Sequence, residues 1–221
     1  MGPIVSECSH LNHLQRRDLW QAGIEWARSS HAAAIQILCE PHSVDGEVLA
    51  SLGLIRTTEI LAFVLVPAHD IPPSESDPAI RVAAPDSEFP AIIDLIAHTL
   101  VDSLDIPEAI PLRSPDLMYR AWAEDAAPAL PLTVIAETSD GLCGLLVARQ
   151  QGDAVEIFYL GVTPEHRRQG WGSRLLRELL RTTGDRPVST FVDARNLPAI
   201  ALYDRFGFRE EMRIPLVFHR L

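Results

Sequence analysis

The sequence predicts an α/β (α+β) fold built on a mixed, mostly antiparallel central sheet with flanking helices. Three observations carry this. Between Leu132 and Val162, three apolar runs are joined by two tight turns, Ser139-Asp140-Gly141 and Gly152-Asp153, the pattern of an antiparallel meander. The third run, Val155–Val162, leads through a glycine-bearing loop into a helix and then into a further strand, a crossover of the kind that joins parallel strands. Segments with apolar residues at helical spacing lie on both sides of the meander.

Taken in order, residues 14–29 read as a helix, with Leu14, Leu19, Trp20, Gly23, Trp26 and Ala27 at helical intervals. Ala33–Cys39 reads as a buried strand, Val44–Leu52 as a helix ended by Gly53, and Thr58–Val66 as a long strand. Pro67, Pro72, Pro73, Ser74, Ser76 and Pro78 mark a linker, placed at 69–78, between segments 1–68 and 79–221. Ala79–Ala83 is then a short strand, and Glu88–Leu100 a helix that the pattern allows to run on to Leu104. Pro111 and Pro115 bracket a loop, and Asp116–Ala126 is another helix. Beyond the meander and the crossover helix come Val188–Val192 (strand), Pro198–Phe206 (helix), a Gly207-Phe208 turn and a last strand, Arg213–His219.

Composition narrows the class. Apolar residues at 47% and charged residues at 22% are those of a water-soluble globular chain. The longest apolar run, from Ile60 to Val66, is too short to span a membrane. No basic-then-apolar signal opens the sequence. Three widely spaced cysteines (Cys8, Cys39, Cys143) fit neither a disulfide framework nor a zinc site, and suit a reducing cytoplasm. His10 and His13 form an i,i+3 pair without a third ligand nearby, so no metal is expected. All 19 basic side chains are arginine, and they are unevenly placed. Residues 163–221 hold 11 arginines against 7 acidic residues, whereas residues 1–162 hold 8 against 23. The acidic bulk argues against nucleic acid as a partner and weakly favours a cationic substrate.

The basic segment contains an anion cradle. Arg167-Arg168-Gln169-Gly170-Trp171-Gly172 separates the strand ending at Val162 from a helix whose Leu175, Leu176, Leu179 and Leu180 share one face. Backbone N–H groups at such a helix start, together with the helix dipole, attract anionic groups, and glycine lets the anion approach the chain.

These residues carry a family resemblance. The segment 79–221 resembles the GNAT superfamily of acyl-CoA N-acyltransferases, whose Arg/Gln-x-x-Gly-x-Gly/Ala signature is met by Arg167 to Gly172. A second family pattern is met by Asn196, Ala199, Tyr203 and Gly207-Phe208. Residues 10–66 also overlay residues 164–220 at a constant offset, reading as a degenerate half-copy of the same domain placed before a complete one. In that overlay Arg16 and Asp18 fall where Gly170 and Gly172 stand, so a single donor site is expected.

The resemblance implies the acyl-CoA N-acyltransferase fold, acetyl-CoA as cosubstrate, and an amine of a small molecule or peptide as acceptor. The donor would lie along Leu160, Gly161 and Val162, with Gly161 marking a bulge, and its pyrophosphate on Arg168, Gln169, Gly170, Trp171, Gly172 and Ser173. Arg167 would add charge, and Asn196 would bond the pantetheine arm or cap the following helix. The N–H of Val162 would stabilise the oxyanion, and Tyr203 would protonate the leaving thiolate. Glu156 would act as base, with Asp193 and then Glu137 as substitutes, and His166 and Cys143 read as a loop histidine and a core thiol. The helices between Glu88 and Ala126 would bind the acceptor. The expected protein is a cytoplasmic acetyltransferase, monomer or homodimer, with no membrane partner. The alternative is a CoA-binding sensor or interaction module without turnover.

Overall fold

A computed structural model describes residues 12–39, 45–66, 76–126 and 132–221. Cys8, His10 and most of the expected linker lie outside the described residues. The chain forms two compact units: residues up to Ile60 with Arg213–Leu221, and Leu61–Met212.

The first unit holds helix α1 (His13–Ser29), strand β1 (Ala34–Leu38), helix α2 (Asp45–Ser51), the first half of β2 (Arg56–Leu65) and the last part of β8 (Arg209–Arg220). Helix α1 starts at a capping box, in which Asn12 Oδ1 accepts from the Gln15 N–H and Gln15 Oε1 accepts from the Asn12 N–H. Asp45 anchors it to α2 by accepting from Arg16 (3.0 Å) and from the Trp20 indole (3.2 Å). Strand β1 pairs antiparallel with β8, Ile35 opposite His219 and Leu38 opposite Leu216. Ile24, Ile37, Leu49, Leu54 and Val217 form the core of this unit.

The second unit comprises β3 (Ile80–Val82), α3 (Pro85–Leu100), a 3-10 turn at Pro107–Leu112, α4 (Pro115–Ala126), β4 (Leu132–Thr138), β5 (Gly141–Gln151), β6 (Ala154–Val162), α5 (Trp171–Thr183), β7 (Val188–Asp193) and α6 (Leu197–Arg205). Its strands lie in the order β2-β7-β6-β5-β4-β3, β2 contributing its Leu61–Leu65 half. The β3–β4, β4–β5 and β5–β6 pairings are antiparallel and β6–β7 is parallel, so the sheet is mixed and mostly antiparallel as expected.

Side chains of a strand alternate between faces, and here both faces are covered. Val134, Ala136, Leu146 and Ala148 meet the α5 leucines, whereas Ile135, Leu145 and Val147 meet Ile92, Leu95 and Ile96 of α3. That explains why β4 and β5 read as unbroken apolar runs rather than as alternating ones. Leu175, Leu176 and Leu179 of α5 are fully buried.

Two boundaries differ from expectation in ways that matter for the site. Helix α3 stops at Leu100 instead of running on to Leu104: Val101 leaves the helix (ψ 125°) and Asp102 follows in a left-handed conformation (φ 52°). The extra residue in β6 is Phe158, not Gly161: Val147 faces Tyr159 while Ala148 faces Ile157, leaving Phe158 unpaired in the bulge. Among the described residues, no helix is long and apolar enough to cross a membrane.

Candidate active site

Strands β6 and β7 run parallel only from Val155–Val188 to Ile157–Thr190. Past the Phe158 bulge they part, and a cavity of about 670 Å³ occupies the gap. The Thr163 N–H donates to the Cys143 carbonyl (2.9 Å), which fixes the alternation along β6. Gly161 and Thr163 therefore address β5, and the backbone groups of Leu160 and Val162 turn the other way, toward the gap. The Val162 carbonyl is engaged by Arg167 Nε at 3.1 Å, in keeping with that direction.

The loop from Arg167 to Gly170 forms the end wall. Arg168 (φ 63°) and Gly170 (φ 88°) are both left-handed, and Gly170 is the N-cap residue of α5. Such a turn points successive N–H groups into one concavity, against the positive end of a 13-residue helix. At Gly172 packing does not demand glycine: a Cβ there would make ordinary contacts, 3.4 Å from Leu202 and 3.5 Å from Leu160. Trp171 lines the cavity and carries the Arg174 guanidinium 3.9 Å above its ring, and Asp77 holds that guanidinium through bonds of 2.6 and 2.7 Å.

Leu160, Gly161, Val162, Arg167, Arg168, Gly170, Trp171, Gly172, Ser173, Asn196 and Tyr203 all line this one cavity. Gln169 does not; its side chain folds back to the Glu165 carbonyl (2.8 Å). Arg167 departs from the expected role as a direct charge. Its guanidinium donates to the carbonyls of Val162, Thr99, Val101 and Asp102, tying the end of β6 to the end of α3. Asn196 caps α6, its Oδ1 accepting from the Ala199 N–H at 3.3 Å. His166 lines the cavity beside the cradle, with Nδ1 2.9 Å from Thr163 Oγ1.

Gly161 is required by crowding rather than by a bulge. A Cβ on it would fall 2.7 Å from the Tyr159 ring and 2.8 Å from Thr99, whose hydroxyl is 2.9 Å from the Tyr159 hydroxyl. Gly161→Ala is expected to displace this pair, cost about 1–3 kcal/mol as overpacking does, and weaken donor binding. Urea unfolding together with acetyl-CoA calorimetry checks both effects.

Tyr203 is buried, packed against Phe63 and Phe208. Burial pushes its phenol up to about 12; a hydrogen bond with Thr190 opposes the shift and the charge of Asp105 adds to it. Glu156 does not reach the cavity. It sits where β6 and β7 are still paired and accepts two hydrogen bonds from Arg149 (3.0 and 2.8 Å). Six residues of extended strand separate it from Val162, about 20 Å. Asp193 is fully buried against Arg195 and the Ile106 N–H, and Glu137 pairs with Arg81. Cys143 is buried, and burial pushes its thiol up to about 11, as suits a core residue. No group of three or more metal-ligating side chains is present among the described residues.

Thr99, Asp105, Phe158, Tyr159 and Thr190 also line the cavity, and nothing in the sequence pattern singled them out. The nearest signal was the acceptor role expected for the helices between Glu88 and Ala126, since Thr99 and Asp105 fall within that stretch.

Parallel strands splayed beside an anion-cradling helix start define the acyl-CoA N-acyltransferase fold class. Residues 97–208, just over half the chain, match the family described as Acetyltransferase (GNAT) family, and the chain belongs to that family. It is 35% identical over 99 residues to a mycothiol acetyltransferase of Clavibacter sepedonicus, covering 43% of this chain and 31% of that one. It is 41% identical over 61 residues to the [ribosomal protein bS18]-alanine N-acetyltransferase of Escherichia coli (strain K12), covering 26% of this chain and 41% of that one. The chain thus spans less than half the length of these two relatives. In fold it resembles a GCN5-related N-acetyltransferase from Sphaerobacter thermophilus, with a TM-score of 0.66 at 21% identity, covering 91% of this chain and 66% of that one.

Proposed function

We propose that the protein is an acetyl-CoA-dependent N-acetyltransferase that acts on a primary amine of a small molecule or peptide by direct attack. The observation that carries this reading is the convergence, on one cavity, of the left-handed Arg168/Gly170 cradle, the outward backbone groups of Leu160 and Val162, and the Tyr203 phenol. The cavity suits acetyl-CoA: N–H groups at the start of α5 face its end wall for a pyrophosphate, and the open edge of β6 offers main-chain partners to an extended arm. Bound there, acetyl-CoA would supply the activated acyl group.

In this reading the Val162 N–H stabilises charge on the acyl oxygen. Tyr203 stays a neutral donor throughout the working pH range, and holding both substrates in one cleft supplies much of the acceleration. The two described cysteines, Cys39 and Cys143, are buried free thiols, in keeping with a cytoplasmic location. The relatives are named for acetyl transfer involving mycothiol and for N-acetylation of an alanine of ribosomal protein bS18, which supports an acetyl-transferring role for this chain. The front segment is proposed as a half-copy of the domain, since α1-β1-α2-β2 and α5-β7-α6-β8 follow the same order at the same offset.

Calorimetry with acetyl-CoA, followed by an amine panel with a thiol reagent to detect released CoA, tests this. Amine-dependent thiol release is expected. Tight acetyl-CoA binding without release on any amine would turn the assignment to a CoA sensor.

A further inference from the structure

Acyl transfer requires a proton acceptor for the amine, because an ammonium has no lone pair for attack. With Glu156 outside the cavity and Asp193 enclosed by Arg195, the acceptor has to be sought among the cavity walls. Of the described residues lining them, Asp102, Asp105 and His166 carry a carboxylate or an imidazole. Asp102 is exposed, with its carbonyl tied to Arg167, and His166 is bonded to Thr163 at the cradle end. Asp105 is placed differently. Its Oδ1 accepts from the Asp193 N–H (3.1 Å) at the end of β7, while Asp193 Oδ2 accepts from the Ile106 N–H (3.1 Å). These reciprocal bonds fix the Asp105 carboxylate over the splayed strands. They also hold the next residue, β-branched Ile106, at a left-handed φ of 47°, a conformation such side chains avoid. The side chain of Asp105 remains 36% exposed, so the carboxylate is enclosed by the cleft and still open to it.

We propose that Asp105 is the group in the cavity that takes the proton from the acceptor ammonium, and that Asp193 is the positioning residue that aims it. This rests on the acetyltransferase reading above. One ammonium proton passes to the Asp105 carboxylate. The freed nitrogen pair forms the C–N bond, and the C–S bond breaks. The thiolate takes the Tyr203 proton, and the second proton lost by the nitrogen restores the phenol. Asp105 then returns its proton to water.

The environment suits this task. Burial raises the Asp105 carboxyl above the usual carboxylate range; Arg113, 3.6 Å away, and the Asp193 N–H oppose the rise, and the Asp193 charge adds to it. Asp105 lines the same cavity as Tyr159 of β6 and Tyr203 of α6, and its charge helps to raise both phenols. A carboxyl whose folded pKa lies above its unfolded value costs stability once ionised. Replacing it with a neutral isostere is therefore expected to leave the melting temperature unchanged or higher at neutral pH.

Asp105→Asn keeps an oxygen for the Asp193 N–H and removes the base. Acetyl-CoA affinity by calorimetry is expected within about twofold of wild type, with turnover lower by about 10²–10⁴. Turnover within threefold of a working wild type would overturn the Asp105 assignment alone. So would a loss of acetyl-CoA affinity or of melting temperature that accounts for the lost rate. Absence of acetyl-CoA binding or of turnover in the wild type would overturn both the assignment and the reading beneath it. Should the Asn variant not fold, Asp105→Glu and Asp105→Gln form a matched pair of equal size. The carboxylate is expected to be faster by about tenfold or more, and equal rates would overturn the proposal.

Discussion

Tyr203→Phe is expected to lower kcat by about 10²–10⁴, the range typical of a lost acid catalyst, while acetyl-CoA affinity stays near that of wild type. The phenol meets the cavity from α6, and burial keeps it neutral up to about pH 12, so it is a hydrogen-bond donor at any working pH. A thiolate of ordinary basicity, its thiol near pKa 8.5, would take a proton from such a phenol only uphill, by about 5 kcal/mol. A thiolate leaving beside the buried phenol would be desolvated as well, however, and desolvation would raise its affinity for a proton. Phenol and thiolate then come closer in strength, and the proton can pass as the C–S bond breaks. Phenylalanine retains the ring contacts with Phe63 and Phe208, at 6.1 and 5.2 Å between centroids. The expected stability loss is therefore about 1 kcal/mol, the worth of one hydrogen bond with Thr190. Single-turnover CoA release separates chemistry from product departure, and an unchanged single-turnover rate would remove Tyr203 from the acid role.

The cradle could be read from the sequence because its determinants are local. Gly170 and Gly172, the arginines before them and the leucine stripe after them lie within one short segment, and backbone conformation there follows from residue type. Asn196 and Tyr203 were legible for the same reason, the cap of one helix and a residue about two turns further along it. Asp105 was not, since its position depends on where α3 stops. That stop is made by Val101 turning out of the helix (ψ 125°) and by left-handed Asp102, and left-handed Ile106 then shapes the turn after Asp105, none of which the residue types announce. The bulge was assigned to Gly161 on residue type, but a bulge is a property of a strand pair. The counterpart register on β5 placed it at Phe158, and Gly161 serves the Thr99–Tyr159 pair instead. Glu156 is what the family resemblance implies for a glutamate on the central strand, and that likeness does not show where the neighbouring strand parts from it. An arginine beside a glycine loop suggests an anion, and so Arg167 reads in the sequence as added charge for the ligand. The carbonyls at the end of α3 that occupy it lie 66 to 68 residues away in sequence.

Removing residues 1–76 is expected to leave no soluble acetyltransferase, although the cut falls before every residue of the cavity and spares Asp77, the partner of Arg174. The reason lies inside the second unit. Leu61, Phe63 and Leu65 belong to the same buried cluster as Leu175, Leu179, Tyr203 and Phe208, and Phe63 is 2% exposed. Burial of three such side chains is worth roughly 5–9 kcal/mol at about 1.5–3 kcal/mol each. That is comparable with the whole net stability of a domain, about 5–15 kcal/mol. The loss would also leave β7 without its β2 neighbour and expose a hydrophobic edge, a template for aggregation. The single substitution Phe63→Ala grades the same argument: it is expected to cost about 3–5 kcal/mol and to loosen Tyr203, lowering turnover as the melting temperature falls. A soluble fragment 77–221 that binds acetyl-CoA and turns over at the full-length rate would show that the Leu61–Leu65 strand is dispensable. It would equally show that the front segment is an appendage, despite its three side chains in the core beneath Tyr203.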